Sequence, residues 1–247
     1  MGVKNGQGGG HRGGGFRTEK VRLKTAKGRS TSSQRWLRRQ LNDPYVQEAA
    51  RLGYRSRSAF KLLQLQARFR FLAPDQRVVD LGAAPGGWTQ VSSALVLGSG
   101  GDVGTGRVIG IDILEMEPVA GADILQSDFL TDEGLEILAN ALDGQADVVL
   151  SDMAAPTTGH RATDHLRTAV LCEAAYDFAK EVLTEGGTFV AKVFKGGSER
   201  QLLESMKREF KSVRHFKPAA SRPESPETYV VARGYRATNK VCKDDQK

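Results

Sequence analysis

Cysteine is almost absent from this chain: Cys172 and Cys242 are the only two in 247 residues, far apart and without a CxxC pair. That excludes a disulfide scaffold and a cysteine-rich zinc site, and it suits a reducing compartment, so a cytoplasmic location is expected. Histidine is scarce too. His11, His160, His165 and His215 show no HExxH or comparable ligand spacing, and no metal is expected. No apolar run approaches the roughly 18 residues a spanning helix needs, so the chain is not expected to enter a membrane. Its first residues lack the apolar core of a secretory signal, and Met1-Gly2 is not followed by Ser or Thr at position 6. Export and myristoylation are therefore disfavoured. What is present is an ordinary globular mixture, 39% hydrophobic and 26% charged, long enough for one or two domains and one sizeable α/β core.

Charge is unevenly spread. Residues 1–40 carry eleven Lys/Arg against one acidic residue, and residues 51–70 carry six and none. Residues 71–190 reverse this, with five basic against nineteen acidic residues, and residues 195–247 return to thirteen against seven. An acidic middle flanked by basic segments points to a polyanionic partner such as RNA rather than to an idle solvated face. Within the basic runs, Arg35, Arg38, Arg55, Arg57 and Lys195 are the candidates for RNA contact.

Residues 1–35 read as a basic, Gly-rich flexible tail, with eight glycines in the first fifteen positions and too few apolar residues to pack. A folded domain is expected over 36–236 and a short C-terminal tail over 237–247. From residue 35 to 71 the apolar positions return every three or four residues, which predicts helices. After Pro74 the period changes. Strands are predicted at 77–84, 107–113, 122–128, 146–153, 187–194, 212–217 and 227–235. Helices are predicted after the first strand, at 132–142, at 163–183, and from a capping-box spacing at Ser198-Glu199-Arg200-Gln201. This alternation predicts an α/β fold: a mostly parallel sheet with helices on both faces, ending in an antiparallel strand.

The strongest local signal is Val78-Val79-Asp80-Leu81-Gly82-Ala83-Ala84-Pro85-Gly86-Gly87-Trp88. A buried strand enters a turn of small residues and then a helix, whose glycines admit a ligand close to the backbone and whose first N–H groups are free. It is not GxGxxG, and Pro85 removes a donor where a pyrophosphate would want one, so a nicotinamide oxidoreductase is disfavoured. The next three strands end near Asp112, Asp128 and Asp152. Carboxylates at that sheet edge suit a nucleoside ligand with a cationic centre, Asp112 for the ribose hydroxyls and Asp128 for the adenine amino group. S-adenosylmethionine is such a ligand. Lys192 sits near the carboxyl end of a strand that reads as buried on both faces, where an ammonium is costly unless paired or deprotonated. It either snorkels from the strand end or serves as a base, and a neighbouring Asp152 would oppose the second.

Arg55-Ser56-Arg57-Ser58-Ala59-Phe60-Lys61-Leu62, the Asp80–Trp88 turn, Ser151-Asp152-Met153-Ala154 and Lys192-Val193-Phe194 resemble, in order, the motifs of the FtsJ (RrmJ, RlmE) family. The resemblance runs from about residue 32 to 234. It implies a Rossmann-like class I methyltransferase with a seven-stranded sheet, occupying the 36–236 domain. It implies an S-adenosylmethionine-dependent ribose 2′-O-methyltransferase acting on a uridine in the A-loop of 23S rRNA, in a late-assembly large subunit, as a monomer. The family's catalytic tetrad carries over to Lys61, Asp152, Lys192 and Glu227, and its cofactor contacts to Gly82, Gly86, Trp88, Asp112, Asp128 and Asp152. In that scheme Lys192 accepts or relays the hydroxyl proton, Asp152 orients the hydroxyl, and Lys61 and Glu227 position lysine and ribose. The chain departs from the family in Ser-Asp-Met-Ala-Ala-Pro at 151–156 and in a less basic stretch at 221–226.

Competing readings lack their own marks. A base-amino methyltransferase would show an Asn/Asp-Pro-Pro-aromatic loop after the fourth strand, where this chain has Asp152-Met153-Ala154-Ala155. A non-catalytic ribosome-assembly factor of the same fold would be expected to have lost part of the tetrad. A tRNA ribose remains the alternative substrate.

Overall fold

The computed structural model describes residues 30–97, 105–156, 158–194 and 200–237. It divides at Gly53/Tyr54 into two units. In the first, Ser30 caps helix α1 (Thr31–Leu41) by accepting the Ser33 N–H, so helix begins inside the stretch expected to be tail up to residue 35; a capping serine there outweighs the sparse apolar content. Asp43 caps α2 (Pro44–Leu52) through the Tyr45 N–H, Pro44 fills a first-turn position, and Gly53 in the left-handed region ends the helix. The expected tail over 1–29 and the residues after 237 lie outside the described residues.

The second unit holds α3 (Ala59–Phe69), β1 (Arg77–Leu81), α4 (Gly87–Val96), β2 (Arg107–Asp112), β3 (Ala122–Gln126), α5 (Asp132–Leu142), β4 (Ala146–Ser151), α6 (Arg161–Val182), β5 (Leu183–Phe194), α7 (Arg200–Glu209), β6 (Phe210–Phe216) and β7 (Glu227–Tyr235). One seven-stranded sheet forms in the order β3-β2-β1-β4-β5-β7-β6. Strands β1 to β5 pair parallel, whereas β7 pairs antiparallel with both β5 and β6. The expected antiparallel last strand is β7, which runs against both of its neighbours; it follows β6 with no helix between them, and that short connection reverses the chain. Central strands β1 and β4 are almost wholly buried, while the edge strands β3 and β6 are half exposed, the pattern of a sheet covered on both faces.

Side-chain parity sorts the two faces. Val79, Leu81, Val149, Phe189, Ala191, Val230 and Ala232 pack with residues of α5, α6 and α7. Val78, Val148, Leu150, Val190, Tyr229 and Val231 pack with Ala59, Leu62 and Leu65 of α3 and Trp88 and Val91 of α4. Helix α3 reaches this face with one apolar stripe at i, i+3 spacing.

Several predicted strand ends fall short. β1 stops at Leu81 because Gly82 takes φ 74° and its N–H, like that of Ala83, turns to the Ile111 carbonyl. β2 and β3 end where Asp112 and Asp128 accept the N–H groups of Leu114 and Leu130 two residues on, the local turn that aspartate favours over continued strand. β5 begins earlier than predicted, at Leu183, through a bulge in its pairing with β4. The capping-box residues Ser198 and Glu199 lie outside the described residues. No helix of the described residues is long and apolar enough to cross a membrane.

Candidate active site

Parity and register assemble the site. Lys192 follows Val190 on the α3-covered face of β5 and is the register partner of Tyr229 in β7, while Phe194 pairs with Glu227. Glu227 and Tyr229, two apart, therefore share that face. Asp152 lies just beyond the end of β4, and Lys61 lies in the first turn of α3. Five side chains from four elements meet there.

Lys61 Nζ lies 3.0 Å from Glu227 Oε1 and 3.8 Å from Asp152 Oδ2. Lys192 Nζ donates to Asp152 Oδ1 at 2.8 Å and to the Asp152 carbonyl at 2.7 Å. Both lysines are over nine-tenths buried, and two carboxylates balance them, as buried charge requires. The Tyr229 hydroxyl donates to Asp152 Oδ1 at 2.6 Å, and the Lys61 ammonium lies 5.7 Å from the Tyr229 ring centre. Burial pushes the Asp152 carboxyl up, but the Lys192 and Lys61 charges outweigh it and hold the group below the usual carboxylate range. Burial, then the charges of Asp152 and Glu227, push Tyr229 well above its ordinary value, so it stays an O–H donor. Asp152 Oδ1 is thus doubly engaged. Oδ2 lies 3.8 Å from Lys61 Nζ, beyond hydrogen-bond distance, and has capacity for a further donor.

The Gly82–Gly87 turn lies on the same sheet edge. A Cβ on Gly82 would come within 2.4 Å of Met153 Cγ, so that glycine lets the turn pass directly beside the residue after Asp152. Helix α4 starts from Gly86 with no side-chain cap, which leaves first-turn N–H groups open. Asp112 Oδ2 accepts the Ala84 N–H at 2.9 Å and pins the turn to the end of β2. Asp128 is exposed at the end of β3. Trp88, expected as a cofactor contact, has its indole in the core: it is 3% exposed, donates from Nε1 to the Ser58 carbonyl and packs on Tyr229 at 5.5 Å. Only its backbone, in the first turn of α4, faces the open helix end.

Asp80 is fully buried, accepts the Thr89 hydroxyl on Oδ2 at 2.7 Å, and has no partner for Oδ1 among the described residues. Burial pushes it up to about 7, the Thr89 hydrogen bond opposes this, and the nearby charges of Asp152 and Asp112 add to the rise. Acidic groups so concentrated repel a pyrophosphate and suit a ligand with a cationic centre.

Of the predicted RNA contacts, Arg35 and Arg38 are exposed on α1, and Lys195 lies outside the described residues. Arg55 and Arg57 are half-buried and bond within the protein. Arg55 donates to the carbonyls of Pro85, Glu117 and Pro118, and Arg57 donates to that of Ala220. Sequence reasoning assigned no role to Asp80 or Tyr229. The period of two that links Tyr229 to Glu227 was a usable signal for the second.

Residues 54–235 match the FtsJ-like methyltransferase family. The ribosomal RNA large subunit methyltransferase E of Parvibaculum lavamentivorans is 58% identical over 248 residues, covering 99% of this chain and 96% of that protein. Its namesake from Paramagnetospirillum magneticum is 62% identical over 226 residues, 92% of each. Among solved structures, a Plasmodium falciparum protein described as a ribosomal RNA methyltransferase superposes with a TM-score of 0.63 at 28% identity, covering 74% of this chain and 98% of that one. The matched segment contains every described strand and the whole buried Lys61–Glu227, Asp152–Lys192 cluster, and the chain belongs to the FtsJ-like methyltransferase family.

Proposed function

We propose that the chain transfers a methyl group from S-adenosylmethionine to a ribose 2′-hydroxyl of large-subunit ribosomal RNA. The observation that carries this reading is the buried pairing of Lys61 with Glu227 and of Lys192 with Asp152 at one sheet edge. The names of the relatives support ribosomal RNA as the substrate class. The A-loop uridine of 23S rRNA in a late-assembly subunit is the target in this reading, and a cytoplasmic monomer is the acting form.

The residues present fit S-adenosylmethionine. The turn at Gly82 and Gly86 leaves the backbone open, Asp112 and Asp128 keep acceptor capacity at the ends of β2 and β3, and Asp80 Oδ1 is a buried acceptor without a partner among the described residues. Gly82, Gly86, the Trp88 backbone, Asp112, Asp128 and Asp152 would hold it. When bound, it supplies an electrophilic methyl on a sulfonium, with a neutral thioether as leaving group.

The chain's own task is then alignment and proton handling. Asp152 Oδ2 accepts the 2′-hydroxyl and orients it. Two directions of Lys192 Nζ are held by Asp152; as the neutral amine it presents a lone pair in the remaining direction, which takes the hydroxyl proton as the new O–C bond forms. Glu227 fixes Lys61, and Tyr229 locks the Asp152 carboxylate. In the wider reading, Arg35, Arg38 and Lys195 contact the RNA backbone.

The test is transfer of labelled methyl to unmodified large subunits, naked 23S rRNA and tRNA, with Lys192→Ala beside the wild type. Label in an alkali-resistant dinucleotide from the large subunit is the expected result, with transfer abolished in Lys192→Ala and cofactor binding kept. Transfer to no RNA, or near-normal turnover in the variant, overturns the assignment.

A further inference from the structure

The stretch Arg55-Ser56-Arg57-Ser58 delivers Lys61 into the site three residues later, and its two arginines point their bonds in different directions. Arg55 Nη1 donates to the carbonyls of Pro85 at 3.3 Å and Glu117 at 2.5 Å, and Nη2 to that of Pro118 at 2.6 Å. The Arg55 N–H donates to Gln90 Oε1 of α4 at 2.9 Å. Pro85 belongs to the turn after β1, and Glu117 and Pro118 to the connection after β2. In an open α/β sheet a nucleoside lies between the loops that leave adjacent strands at their carboxyl ends. A single planar guanidinium therefore sets the spacing of two loops that would flank the cofactor. Gly86 fits this clamp closely: a Cβ there would come within 2.9 Å of Arg55 Nη1.

Arg57 reaches the other side. Its Nη2 donates to the Ala220 carbonyl, and the Ala220 N–H donates to Gln64 Oε1 of α3 at 2.9 Å. Ala220 lies in the connection that ends at Glu227. Lys217 steadies that connection further, through the carbonyls of Pro223 and Ser225. Between the two arginines and the lysine, the Ser58 carbonyl accepts the Trp88 indole N–H at 2.9 Å.

We infer that Arg55 and Arg57 are positioning residues rather than RNA contacts, Arg55 setting the cofactor cleft and Arg57 setting the loop that presents Glu227. The inference rests on the methyl-transfer reading but is tested apart from it. An arginine donating to carbonyls on two loops offers a fork that lysine cannot reproduce.

The experiment compares wild type with Arg55→Gln, Arg55→Lys and Arg57→Gln. Four quantities are measured: S-adenosylmethionine affinity by calorimetry without RNA, affinity for a large-subunit rRNA fragment across a salt series, steady-state kcat and KM, and the thermal midpoint. Arg55→Gln is expected to weaken S-adenosylmethionine binding about tenfold or more, as loss of hydrogen bonds from a charged group implies, with the RNA salt slope unchanged. Arg55→Lys should recover little of this. Arg57→Gln should leave cofactor affinity near wild type and lower kcat. If Arg55→Gln does not fold, Arg55→Lys, which keeps the charge and most of the stem, carries the same comparison.

A salt slope reduced by roughly 0.7–0.9 per arginine removed, with cofactor binding intact, marks a phosphate contact and overturns the inference. So does an equal fall in every quantity that tracks the thermal midpoint, which is the mark of a merely structural role. If no RNA accepts methyl but Arg55→Gln still loses cofactor affinity, the proposed function fails while the assignment of Arg55 stands.

Discussion

Asp152 is the residue on which the site turns, and its two oxygens are not equivalent. Lys192 and Tyr229 both occupy Oδ1, so the carboxylate cannot swing and Oδ2 is left for a donor from outside. Tyr229→Phe removes one of these holds while keeping the buried ring. We expect kcat to fall about tenfold or more, since the bond removed is to a charged group, with the RNA KM and the thermal midpoint little changed; steady-state kinetics with a melting curve checks this. Asp80 carries a different prediction. The folded protein keeps its proton up to about pH 7, whereas the unfolded chain releases it near the ordinary value of 3.8. The folded state thus binds more protons between those limits, and stability falls as pH rises through that window, levelling above it. Asp80→Asn has no proton to lose. Its stability relative to wild type is expected to climb from pH 4 to 7 by up to about 4 kcal/mol, at 1.36 kcal/mol per unit, and denaturant melts at four pH values read the difference. A pH-independent difference would mean that Asp80 ionises normally.

At the scale of elements, the site depends on a turn and a register. Gly82 ends β1 with φ 74° and has Met153 against the place a Cβ would occupy, with the Met153 Cα at 3.3 Å. Gly82→Ala combines a left-handed alanine, about 1–2 kcal/mol, with a clash against the segment carrying Asp152. A thermal midpoint lower by several degrees and a loss of methyl transfer larger than the stability loss predicts are the expected outcome, measured by melting and single-turnover assay. The β5–β7 register is as strict. Slipping it by one residue would carry Glu227 and Tyr229 to the opposite face, away from Lys61 and Lys192. The strand-helix alternation was legible because period and punctuation are local. The early ends of β1, β2 and β3 were less so, because they are set by Gly82 reaching the Ile111 carbonyl and by aspartates closing on their own backbone.

For the whole molecule, charge and fold occupy different parts of the chain. The acidic 71–190 segment supplies Asp112, Asp128 and Asp152 at the carboxyl ends of β2, β3 and β4, and the basic segments lie to either side of it in sequence. Residues 1–29 hold eight Lys/Arg and one Glu. Deleting them should leave S-adenosylmethionine affinity unchanged and lower both RNA affinity and its salt slope, by about 0.7 for each phosphate no longer neutralised; filter binding from low to moderate salt checks it, and an unchanged slope removes the tail from the RNA interface. The sequence by itself determined the α/β class, the order of its elements, the glycine turn and Asp152 and Lys192 as candidates, because periodicity, turn chemistry and strand-end position are properties of neighbours along the chain; Lys61 and Glu227 came as candidates through the resemblance to the FtsJ family. Only the tertiary structure decided that Tyr229 locks Asp152, that Asp80 is buried with an oxygen lacking a partner among the described residues, that the Trp88 indole belongs to the core, and that Arg55 and Arg57 bond to loops 30 to 163 residues away. Those outcomes depend on which carbonyl or carboxylate a folded sheet brings within about 3 Å of a given donor, and no local pattern encodes that distance.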